Sequence, residues 1–194
     1  MLNKCKRCSF VKPYFFLIIL SALTVRFVKG ESAAINALAM IGIPVAIYRF
    51  SLEELGFRNF RKGLIYGFLA SVLILPIYAF LSFKIKGFIN VNEGILRISL
   101  FYLIYTAIPE EIFFRGFMYA SVENEPLFWK ISKANLVTSF LFALAHVLVY
   151  YNPAMFKTFF PALVFGFLYE RSGSIIAPVI FHWLSDVIYT IFPV

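Results

Sequence analysis

Seven apolar runs divide the chain, each separated from the next by a short polar or charged stretch. They cover Tyr14 to Val25, about Ala33 to Phe50, Leu64 to Phe83, about Ile98 to Val122, Ile131 to Tyr151, Ala154 to Tyr169 and Ser174 to Phe192. A helix needs about 20 apolar residues to cross about 30 Å of hydrocarbon, and most of the runs approach that length. Backbone polar groups in lipid must pair within their own segment, which leaves helices as the economical solution. The expected fold is therefore all-α: a polytopic transmembrane helical bundle of about seven spans, within a range of six to eight. Pro44, Pro76, Pro109, Pro161 and Pro178 fall inside the runs, where membrane helices tolerate them as kinks.

Between the second and third runs, Ser51 to Lys62 reads SLEELGFRNFRK. This is the one clearly amphipathic stretch. It is expected either to lie along the interface, with Leu52, Leu55, Phe57 and Phe60 toward lipid and Arg58, Arg61 and Lys62 toward headgroups, or to form a solvated loop. The start of the chain, with Lys4, Lys6, Arg7 and Lys12 before an apolar run, resembles a signal peptide. No small-residue cleavage site follows, so an uncleaved first span is expected, with Arg26 snorkelling to the far interface.

Composition narrows the class. Of 194 residues, 61% are hydrophobic and 14% charged, against about 45–50% and about 25% in soluble domains. A soluble protein of this size could not bury so much apolar surface, and disordered chains and disulfide scaffolds are excluded by the same figures. The net charge of +8 comes from Lys and Arg scattered between apolar runs, a pattern that flanks membrane spans and carries no nucleic-acid footprint. More basic residues fall on the N-terminal side of the bundle than on the other, which places the N-terminus in the cytosol. Cys5 and Cys8 lack two further ligands for a structural zinc site and are read as reduced thiols on a cytosolic tail.

Charge within the apolar runs is the informative departure. Ionisable groups in a membrane cost a few kcal/mol each and are rare unless functional. The fourth run holds Pro109-Glu110-Glu111-Ile112-Phe113-Phe114-Arg115, the fifth Phe142-Ala143-Leu144-Ala145-His146, and the seventh His182-Trp183-Leu184-Ser185-Asp186. At 1.5 Å per residue, Glu110, His146, His182 and Asp186 fall within one depth band about 10 Å tall, so three packed helices could gather them around one polar cavity. Glu111 and Arg115 are i,i+4 and can pair on one face, leaving Glu110, about 100° round the helix, to face the cavity. His182 and Asp186 share the same spacing, and Phe142 could wall the cavity one turn before His146. A Glu with a His can deprotonate water and reprotonate a leaving amine, and a second His can donate to a developing oxyanion. A proton relay, a transport function or a polar clamp between helices would use the same residue types. A zinc site of His146, His182 and Glu110 is a further alternative, without the HExxH spacing that binds zinc from one helix.

Glu110-Glu111-x-x-x-Arg115, Phe142-x-x-x-His146 and His182-x-x-x-Asp186, in that order, resemble the three-motif signature of the CPBP intramembrane protease family. That family includes the type II CAAX prenyl endopeptidases and the bacteriocin-processing and bacteriocin-immunity (ABI-type) proteins. The resemblance covers roughly residues 98–190. It implies a division into N-terminal membrane helices with a basic tail and interfacial linker (1–95) and a catalytic core of four membrane helices (96–192). It further implies a glutamate-type endopeptidase without an obligatory cofactor or metal. Glu110 would activate water with His146 as its partner, His182 and Asp186 would form the oxyanion site, and Glu111 and Arg115 would complete the first motif. The implied partners are the lipid bilayer and a peptide or protein substrate, lipidated or not, that reaches the site through the membrane. The short chain fits a prokaryotic plasma-membrane member. In the prenyl-protease branch the third motif commonly ends in Asn. Asp186, when ionised, cannot donate, so it is expected to orient and charge His182.

Overall fold

The computed structural model describes residues 10–28, 30–86, 94–122, 125–128 and 131–192. Cys5 and Cys8, with Lys4, Lys6 and Arg7, lie outside them. The described residues are almost wholly helical. We number the helices α1 (Val11–Phe27), α2 (Ser32–Gly42, continued by a π-turn Ile43–Ile47), α3 (Phe60–Lys86), α4 (95–121), α5 (Lys133–Tyr150), α6 (Phe159–Ser172) and α7 (Ile176–Ile191). Of these, α3 and α5 are long and apolar enough to cross a membrane.

The ends of the helices depart from the apolar runs where local hydrogen bonding decides them. The fifth run opens with a short strand, Ile131–Ser132, paired antiparallel with Pro126–Phe128. Ser132 then caps α5, its hydroxyl accepting from the Asn135 N–H at 3.0 Å, which satisfies one of the free donors of the first turn. The sixth run begins as a 3-10 turn, Pro153–Thr158, capped by the Asn152 side chain, and becomes α-helical only at Phe159. Over residues 51–59 the amphipathic stretch is no helix, and its last three residues open α3. Ser51 and Glu54 form a reciprocal capping pair, with Ser51 N–H to Glu54 Oε2 at 2.8 Å and Glu54 N–H to Ser51 Oγ at 3.3 Å. The chain then turns through Gly56 at φ +92°. Leu55, expected toward lipid, is fully buried against Gly116, while Leu52 and Phe60 do point outward. Arg26 lies over the Tyr151 ring at 4.1 Å.

Helix α3 shows how the bundle closes. Gly63, Gly67, Ser71 and Leu75 recur every fourth residue and are buried, whereas Leu64, Ile65, Phe68, Leu69, Val72 and Leu73 are exposed. Small residues at four-residue spacing let two helix backbones approach, and α7 occupies that stripe: a Cβ on Gly67 would meet the Ala177 carbonyl oxygen at 3.0 Å. The α5–α6 contact is tighter still, since a Cβ on Gly166 would overlap the Asn135 amide. Gly166→Val is therefore expected to destabilise the protein by about 1–3 kcal/mol, the usual cost of overpacking. Thermal unfolding in detergent would register it as a lowered midpoint, and an unchanged midpoint would refute the close approach.

Away from the charged residues, two polar ties among the described residues hold α4 against α7. The Trp183 indole N–H donates to the Ser99 carbonyl at 2.9 Å, and the Thr190 hydroxyl donates to Tyr102 Oη at 3.0 Å. Within α4 the segments Leu103–Ala107 and Ile112–Met118 wind as π-helix. Such i→i+5 turns change which side chains share a face and recur at functional sites. Every residue from Ile112 to Met118 is buried.

Candidate active site

The charged residues of α4 divide between two environments. Glu111 and Arg115 are fully buried, joined by a 3.1 Å bond from Arg115 Nη1 to Glu111 Oε1. The guanidinium lies over the rings of Phe142 (4.9 Å) and Phe165 (5.1 Å), and its Nη2 donates to the Ala162 carbonyl at 2.9 Å. One cation thus ties α4 to α5 and α6. Glu110, one residue earlier, faces a cavity of about 1010 Å³ that also receives His146, His182 and Asp186. Glu111 and Arg115 stand behind its wall.

His182 on α7 is the hub. Its ring stacks on Phe165 at 4.4 Å and meets Phe142 edge-on at 5.9 Å. Nδ1 lies 2.8 Å from Glu111 Oε1. A carboxylate paired with Arg115 can only accept, so Nδ1 carries the proton and donates. This fixes the ring and aims Nε2 at the cavity, 3.8 Å from Glu110 Oε2 and 3.5 Å from Asp186 Oδ2. Two adjacent carboxylates of α4 therefore address opposite nitrogens of one imidazole. Glu110 Oε2 and Asp186 Oδ2 are buried, and neither has a hydrogen-bond partner among the described residues. Buried polar atoms are ordinarily satisfied, so two unmatched acceptors beside one imidazole nitrogen invite a donor from the cavity.

His146 holds a different wall. Its Nδ1 lies 2.9 Å from the Phe142 carbonyl oxygen, to which it donates, and its ring lies 4.5 Å from that of Phe142. Among the described residues, Glu110 has His182 rather than His146 within ion-pair distance. His146 and Glu110 both line the cavity. The i,i+4 spacing predicts a Glu111 closed on Arg115 alone. A carboxylate has acceptor capacity beyond one guanidinium, and His182 uses it. Phe165, the platform under His182, lies outside the three motifs and had no signal in one sequence. Among the described residues no three His, Cys, Asp or Glu side chains are grouped as the ligands of a metal ion.

A family model described as type II CAAX prenyl endopeptidase, Rce1-like, matches residues 92–188, which include all six residues of the cluster. No curated protein and no solved structure matches the chain.

Proposed function

The chain belongs to the type II CAAX prenyl endopeptidase, Rce1-like family, and from that membership and the shape of the cluster we propose that it is an integral-membrane endopeptidase in which Glu110 activates water. The bundle crosses the membrane about seven times with its N-terminus in the cytosol. Residues 96–192 form the catalytic core, and residues 1–95 supply helices that complete the cavity. The observation that carries the reading is the pair of unpartnered carboxylate oxygens, Glu110 Oε2 and Asp186 Oδ2, flanking His182 Nε2 on the wall of a cavity.

In the proposed reaction a peptide bond enters the cavity with its carbonyl beside His182. Glu110 takes a proton from water as the water oxygen attacks the carbonyl carbon, and the C=O electron pair moves onto oxygen. His182, its Nδ1 proton held by Glu111, donates from Nε2 to that oxyanion as an imidazolium, with Asp186 supplying compensating charge. The tetrahedral centre collapses, the C–N bond breaks, and the proton held by Glu110 passes to the leaving amine. His146, across the cavity, orients the water. Arg115 is a positioning residue. It neutralises Glu111 so that Glu111 can hold His182 without itself acting as a base.

The distance from Asp186 to His182 makes a specific expectation. Asp186→Asn should retain much of the activity, because an amide can donate to the oxyanion directly. Asp186→Ala should lose most of it. Equal rates for wild type and both variants would remove Asp186 from the reaction. The test of the reading itself is hydrolysis by the purified protein in liposomes of a mixed pool of S-farnesylated and unmodified peptides, with new termini mapped by mass spectrometry. Cleavage that survives a chelator supports it. Binding without cleavage would favour an immunity-type or relay function, and chelator-sensitive cleavage restored by zinc would assign the chemistry to a metal.

A further inference from the structure

The proposed reaction calls for a second donor to the oxyanion. His182 Nε2 supplies one. Asp186, when ionised, can only accept, and Arg115 is committed behind the cavity wall to Glu111 and the Ala162 carbonyl. Oxyanion sites work through preorganised donors aimed where charge develops, and the cavity wall offers hydroxyl groups. Those of Tyr14, Thr158 and Ser185 are spent on backbone carbonyls at 2.7–2.8 Å. The Tyr150 hydroxyl, by contrast, has no hydrogen-bond partner among the described residues. Tyr150 stands one turn beyond His146 at the end of α5. Phe142, His146 and Tyr150 recur every fourth residue and line the cavity as one stripe, with successive rings 4.5 Å and 6.2 Å apart. Long helical side chains lean back over the preceding turn, which inclines Tyr150 toward the level of His146. Its hydroxyl lies within electrostatic range of the Glu110 and Asp186 carboxylates, the two that flank His182 Nε2. Tyr151 then leaves the helix at φ +52°, and the Tyr150 ring is exposed, which leaves room for a substrate against it.

Resting on the hydrolase reading above, we propose that Tyr150 is a further catalytic residue whose hydroxyl donates a hydrogen bond to the oxyanion, alongside His182 Nε2. The phenol keeps its proton throughout, so the step adds a hydrogen bond and transfers nothing. A hydrogen bond to a charged oxygen is roughly twice as strong as one to a neutral carbonyl. The contact therefore strengthens as the C=O electron pair moves onto oxygen, and it favours the transition state over the bound peptide. A neutral donor also suits a wall that already carries Glu110 and Asp186. It stabilises the oxyanion without cancelling the charge that Asp186 supplies to His182.

The test uses the full-length protein in liposomes and a peptide that wild type cleaves from the mixed farnesylated and unmodified pool. Tyr150→Phe keeps the ring and removes the donor. It should lower kcat by about 10²–10³-fold, the usual worth of one oxyanion donor. KM and the thermal midpoint should stay at their wild-type values, because the lost contact belongs to the transition state. The same exchange is then made in Asp186→Asn. There the amide already donates to the oxyanion, so Tyr150→Phe should cost a clearly smaller factor, the mark of two groups that serve one atom. A Tyr150→Phe rate equal to wild type, a loss carried by KM or by a lowered midpoint, or the same fold-loss in both backgrounds would overturn the assignment while leaving the hydrolase reading intact. Failure of wild type to cleave any peptide of the pool would overturn both.

Discussion

Glu110→Gln is expected to lower peptide hydrolysis by about 10²–10⁴-fold, the usual contribution of a positioned general base, and to leave the fold unchanged. The exchange keeps the shape of the side chain and removes its ability to accept a proton from water. Little structure should be lost with it, because Glu110 Oε2 has no hydrogen-bond partner among the described residues. The Glu111–Arg115 pair, which ties the bundle together, is not involved. Initial rates on one peptide, set beside thermal midpoints of both proteins, separate the two effects. A rate equal to wild type would take Glu110 out of the chemistry. A lost rate with a collapsed midpoint would make it a structural residue.

The largest expected effect on stability belongs to Arg115→Leu. This residue is fully buried between two phenyl rings and bonded to Glu111 and the Ala162 carbonyl. Its removal leaves the Glu111 carboxylate without its cation in an enclosed site, with the His182 N–H as its one remaining donor among the described residues. Breaking a buried pair from one side costs about 3–5 kcal/mol, whereas replacing both partners with apolar groups is often close to neutral. Arg115→Leu should therefore unfold far more readily in detergent than wild type. The double variant Glu111→Leu/Arg115→Leu should recover part of the loss, but not activity, since His182 would no longer be held. A single variant as stable as wild type would show that the pair is not sealed from solvent.

The residues of the cluster were legible because the chain is so apolar. In runs made of Phe, Leu, Ile and Val, an acid or an imidazole is conspicuous, and i,i+4 spacing is enough to pair Glu111 with Arg115 and His182 with Asp186. What one sequence could not supply was rotation. The π-turns at Leu103–Ala107 and Ile112–Met118 leave no mark on hydropathy, yet they help to decide which acid meets which imidazole. Glu110 lies within ion-pair distance of His182, whereas the family resemblance implies His146 as its partner. The inward turn of Leu55 was hidden for a related reason. Amphipathic spacing implies a helix, but the segment is held by a Ser51–Glu54 capping pair and a glycine at positive φ, and its apolar residues separate to opposite sides. Other signals lie in the sequence itself. Gly63-x-x-x-Gly67-x-x-x-Ser71 marks a close helix contact, and the Asn152-Pro153 and Ser132 caps mark true helix starts.

The central claim is that Glu110 delivers a water molecule to a peptide carbonyl held beside His182. The most direct measurement is a first turnover in ¹⁸O-labelled water, with the new carboxylate of the product read by mass spectrometry. The account predicts one solvent oxygen in that carboxylate from the first molecule cleaved, and no product from Glu110→Gln on the same timescale. Intact peptide in the wild-type reaction, or a first product whose new carboxylate carries an unlabelled oxygen drawn from the protein, would contradict it.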